Sequence, residues 1–88
     1  MFKKLKREFE KRQRVNGLSK AMAIVDDHMI PGLTPRALDC AYGQAYAEIR
    51  STYINGEVTE NEMYAALVSL DNQHDKLRRQ ALMEELMA

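Results

Sequence analysis

A chain of 88 residues is one domain at most. At that size folding buries only about 60–65% of the unfolded surface, so a deep catalytic cleft is hard to build. With 45% hydrophobic and 30% charged residues the composition is globular, not disordered, and the single cysteine excludes an internal disulfide.

Net charge is zero but unevenly spread. Residues 1–20 hold Lys3, Lys4, Lys6, Arg7, Lys11, Arg12, Arg14 and Lys20 against Glu8 and Glu10, a balance of +6 that leaves −6 for the remainder. Such a split speaks of partners more than of fold.

Phe2, Leu5 and Phe9 recur at steps of three and four and mark one apolar stripe, so the opening residues are predicted to form a basic amphipathic helix over 1–15, free to project. This stretch lacks the apolar core of a signal peptide, and no run of about 18 apolar residues follows, so the chain reads as cytoplasmic. Asn16-Gly17 is a pair that readily ends a helix, and a break or bend is expected there. A continuous helix through the glycine is the alternative, at a cost of about 1 kcal/mol against alanine. Val15, Leu18, Met22, Val25 and Met29 then predict a second helix over 18–29, with Ser19 as a candidate cap. It stops before Pro31, because the residue ahead of a proline disfavours helical geometry.

Thr34-Pro35 restarts a helix, with threonine as the cap, proline at the first helical position and Leu33 with Leu38 as a hydrophobic staple. Its apolar face runs through Leu38, Ala41, Tyr42, Ala45, Ile49 and Tyr53, and Asn55-Gly56 supplies the stop, giving a span of 35–54. Cys40 lies in this Ala-rich stretch, and a free cysteine there is expected to act as a small buried hydrophobe in a reducing compartment. The strongest local signal follows. Thr59 and Glu62 form a capping box, and Val58 with Met63 forms its staple. The last helix, over 60–87, carries Met63, Leu67, Leu70, His74, Leu77 and Ala81 toward a core, and Leu82 and Leu86 extend its apolar surface.

Ile49, Gly56, Val58, Thr59, Glu62, Met63 and Leu70 fit the G-x-I-T-x-x-E-F pattern with conservative changes. The segment from Ile49 to Leu70 resembles the helical hairpin of SHOCT domains, short modules often found at C-termini. The resemblance covers about a quarter of the chain and implies two helices joined by a tight turn. The expected fold is all-α: one domain over 1–88, a small bundle of three to four helices with a C-terminal antiparallel helical hairpin.

Catalytic chemistry finds no footing in these residues. No G-x-S-x-G elbow or phosphate-cradling glycine loop exists, and Cys40 has no histidine near it in sequence. Glu60 with Glu62 and Glu84 with Glu85 sit at a helix end or on a solvated face. His28 beside Asp26 and Asp27, and His74 between Asp71 and Asp75, could meet on a metal if their helices packed together. Without zinc-site spacing, the better reading of His74 is a partly buried residue bonded to a neighbouring aspartate. No catalytic residue, metal or cofactor is therefore assigned.

The functional expectation is a non-enzymatic helical protein that binds another protein as a regulator, adaptor or inhibitor. Its size and class suit an accessory protein of a phage or mobile element. Six methionines and the 3-4 apolar spacings favour helix-on-helix contact, including homo-oligomers. Tyr46 and Tyr64, at the edge of the apolar stripes, are candidate interface aromatics, while Tyr42 and Tyr53 are expected to fill the core. The basic face of Lys3, Lys4, Lys6, Arg7, Lys11, Arg12 and Arg14 is the other candidate binding surface. It could serve an acidic protein or, as the alternative function, nucleic-acid phosphates. A membrane ranks last, since Glu8 and Glu10 interrupt the cationic face.

Overall fold

The computed structural model describes residues 17–88, and every regular element among them is helical. Three helices follow in chain order: α1 over residues 17–28, α2 over Pro35–Ile54 and α3 over Glu60–Met87. The basic segment Lys3–Arg14, and the helix expected over 1–15, lie outside the described residues.

Capping chemistry sets where α2 and α3 begin and how they are joined. Thr34 Oγ1 accepts from the Ala37 amide at 3.2 Å, and Pro35 occupies the first turn, where no amide proton is needed. At the other end of α2 the Gly56 amide donates to Tyr53 O at 3.0 Å and the Glu57 amide to Thr52 O at 2.8 Å. These two bonds are a Schellman stop. It requires a left-handed residue at Gly56, whose φ is +77°. Three residues later the reciprocal box opens α3: Thr59 Oγ1 accepts from the Glu62 amide at 3.2 Å, and Glu62 Oε1 accepts from the Thr59 amide at 2.8 Å. Glu60 and Glu62 also place negative charge on the positive end of the helix.

Residue numbers rise along α3 as they fall along α2. Tyr42 meets Asp71, Asp39 meets His74 and Arg78, and the loop at Gly32–Pro35 lines a shallow depression with Ala81, Glu84, Glu85 and Ala88. The core lies between the three helices. Ala21, Val25 and Met29 from the first helical segment join Ala45 and Ile49 of α2, Val58 of the turn, and Met63, Ala66, Leu67 and Leu70 of α3. Thr52 is buried among them, and its hydroxyl is satisfied by donating to Ile49 O at 2.6 Å.

Four expectations change here. Residues 17–28 are helical, so Ser19 lies inside α1 and is not its cap, while the break expected at Asn16-Gly17 involves Asn16, which lies outside the described residues. Gly17 is buried because a Cβ there would stand 2.7 Å from the Glu57 carbonyl oxygen, so its lack of a side chain lets α1 lie directly on the α2–α3 turn. The buried row of α1 consequently runs Gly17, Ala21, Val25, Met29, with Met22 at its margin and Leu18 exposed. Tyr53 is exposed because the buried position at that end of α2 goes to Thr52. Cys40 is exposed as well: Leu38 takes the core position, and two residues further on, about 200° round the helix, the side chain points away.

Candidate interaction face

Asp39, Tyr42, Tyr46 and Tyr53 follow one another at steps of three, four and seven, which places them on one flank of α2 at about 100° per residue. Glu48 falls on the opposite flank. The first helical segment takes the Glu48 side. His28 Nδ1 donates to Ile24 O at 2.9 Å, since a carbonyl can only accept, and its Nε2 lies 3.6 Å from Glu48 Oε1. Lys20 Nζ, 2.6 Å from Glu57 Oε1, ties the same segment to the turn.

The tyrosine flank of α2 meets α3. Asp39 Oδ1 accepts from His74 Nε2 at 2.8 Å and from Arg78 Nε at 3.2 Å. The His74 hydrogen bond, helped by the Arg78 cation, holds the Asp39 carboxyl below its usual range even though partial burial works the other way. The Tyr42 hydroxyl donates to Asp71 Oδ1 at 2.5 Å, and its ring packs against His74 with centroids 4.6 Å apart. Donation to the Asp71 carboxylate, with burial adding to it, pushes the Tyr42 phenol up to about 12. A phenol that holds its proton so firmly is poorly suited to be a general acid or a nucleophile. The chemistry of this cluster is that of a polar clamp between two helices.

Past the clamp, toward the turn, the same face becomes apolar. Tyr46 stacks obliquely on Tyr42 at 6.1 Å between centroids, and Tyr53 continues the flank. From α3 come Tyr64, 54% exposed, and Val68, 58% exposed. All four side chains are large and exposed.

The expected site residues fall out unequally. Tyr46 and Tyr64 are both exposed and belong to this face. Lys3, Lys4, Lys6, Arg7, Lys11, Arg12 and Arg14 lie outside the described residues. The two histidine clusters do not converge: His28 faces Glu48 and His74 faces Asp39, and among the described residues no three His, Cys, Asp or Glu side chains gather on one point. Asp71 and Asp75, the expected partners of His74, bind Tyr42 and Arg79 instead. Asp39 and Val68 escaped the reading of the sequence, and Tyr53, expected in the core, is exposed. The 3-4-7 stepping from Asp39 to Tyr53 carries the signal of a common flank, but the partner across the helix pair has no sequence signature.

Comparison with protein-family models, with curated proteins and with solved structures yields no match.

Proposed function

We propose that this chain is a small non-enzymatic bundle of three to four helices, closed by an antiparallel C-terminal hairpin, that docks on another protein and so acts as a regulator, adaptor or inhibitor. The observation that carries this reading is the exposed apolar face of Tyr46, Tyr53, Tyr64 and Val68 beside the Asp39–His74–Arg78 clamp. Aromatic side chains with a polar tip supply contact area at low entropic cost, and a rigid helix pair holds them in place before the partner arrives. The clamp gives the apolar centre a polar rim.

A photo-crosslinking residue in place of Tyr46, with affinity capture from the native host, tests this. Capture should be lost on Tyr64→Ser with Val68→Ser while the thermal melt stays unchanged. Equal capture by the wild type and the double variant overturns the reading.

A second reading, nucleic-acid binding, rests on the seven cations between Lys3 and Arg14. Against it, residues 17–88 carry eleven acidic and six basic side chains, a body that repels phosphate. Binding to random DNA or RNA at low salt, with a steep salt dependence abolished by replacing those seven cations with serine, would establish it in place of the first.

A further inference from the structure

The exposed face of α3 continues well beyond Tyr64 and Val68. Stepping along the helix, Tyr64, Val68, Asp71, Asp75, Arg79, Leu82 and Leu86 fall within a stripe about 80° wide. All seven are exposed, Leu86 at 83%. Arg79 Nη2 lies 3.1 Å from Asp75 Oδ2 within the stripe.

The order of residue types in this stripe is a palindrome centred on Asp75. Leu86 stands as far after it as Tyr64 stands before it, Leu82 answers Val68, and Arg79 answers Asp71 with the charge reversed. Turned end for end, the face presents leucines to the tyrosine and valine, and arginine to aspartate. Such a surface is complementary to itself, which is the requirement of an isologous two-fold contact. A protein of unrelated sequence has no reason to select that symmetry.

We propose that α3 pairs antiparallel with α3 of a second copy of this chain, about a two-fold axis at Asp75. This rests on the reading of the Tyr64–Val68 face as a docking surface and names its occupant. Over the 22 residues from Tyr64 to Leu86 the contact line is about 33 Å long. Tyr64 and Val68 of each copy lie over Leu86 and Leu82 of the other, and Asp71 lies over Arg79. The apolar pairs sit at the two ends and the charged pairs in the middle, which favours this register: a shift by one turn one way sets Val68 against Arg78, and one turn the other way leaves Tyr64 beyond the last turn of the partner's α3. The strained point is the axis itself, where Asp75 faces its own mate with only Arg79, one turn away on each copy, to offset the like charges.

Sedimentation equilibrium of the full chain tests the pairing. A mass twice the chain's 10.1 kDa is expected. It should fall to the single-chain value in Val68→Asp and in Leu86→Asp, with helical circular dichroism retained. Asp75→Asn should lower the dimer dissociation constant by removing the repulsion at the axis, an effect that no unrelated partner predicts. In a Cys40→Ser background, Asp75→Cys should form an interchain disulfide and Asp27→Cys, on the first helical segment, should not. A chain that stays monomeric at millimolar concentration overturns the proposal, as does a dimer indifferent to Val68→Asp and Leu86→Asp. If the chain is monomeric yet host capture still depends on Tyr64 and Val68, the docking face stands and only its self-pairing falls.

Discussion

Gly17 shows how one missing side chain can decide a packing arrangement. Its Cα hydrogens face the Glu57 carbonyl at a separation that no Cβ can share, and the obstacle is backbone, which cannot swing aside as a flexible side chain would. Gly17→Ala should therefore destabilise the fold by about 1–3 kcal/mol, the usual cost of overpacking, even though alanine favours a helix by about 1 kcal/mol. Urea unfolding would show it as a lower midpoint, and a higher midpoint would mean that α1 does not rest on the turn. Tyr42 offers a spectroscopic counterpart. Of the four tyrosines, Tyr42 should lose its proton near 12 in an absorbance titration. Asp71→Asn should move that step back toward the ordinary value of 10.0 by removing the anion that opposes ionisation. Because the folded phenol is the weaker acid, the bond to Asp71 contributes its full stability below 10.0. That contribution is lost as the pH rises through about 12.

At the scale of elements, the α2–α3 connection is specified by two back-to-back signals, a Schellman stop at Gly56 and a capping box at Thr59–Glu62. Thr59→Ala removes the acceptor for the Glu62 amide and should lower stability by about 1 kcal/mol. Leu70→Ala empties a fully buried position shared by all three helices and should cost more, about 2–5 kcal/mol. Chemical denaturation of the two variants should preserve that order. Equal, negligible losses would mean that neither the cap nor the core position is as described. α3 outlasts α2 by eight residues, 28 against 20, and among the described residues its last turns meet the loop at Gly32–Pro35. Leu82 and Leu86, near that end, are exposed.

For the whole molecule, the clamp between α2 and α3 bears on stability through the titration of Asp39. Asp39 ties α2 to α3, and its carboxyl is held below 3.8 in the folded state. Its contribution is therefore complete above 3.8 and disappears as the pH falls through the lower folded value. Unfolding midpoints followed from neutral pH down the acid limb should fall more steeply for the wild type than for Asp39→Asn, which has no proton to gain. Parallel curves would show that the clamp does not couple the helices. Among the described residues no helix is long and apolar enough to cross a membrane.

The helix type, the starts of α2 and α3 and the glycine stop between them were legible in the residues themselves. They depend on interactions within four positions along the chain: a threonine hydroxyl on an amide one turn away, a proline where no donor is needed, a glycine where φ is positive. Tertiary structure alone decided that Asp39 rather than Asp71 or Asp75 receives His74, that Gly17 is a point of close approach, and that Cys40 and Tyr53 face outward. Each of these depends on which flank of a helix another helix covers. Periodicity gives a stripe its width, but only the position of the neighbouring backbone tells which edge of it is closed to water.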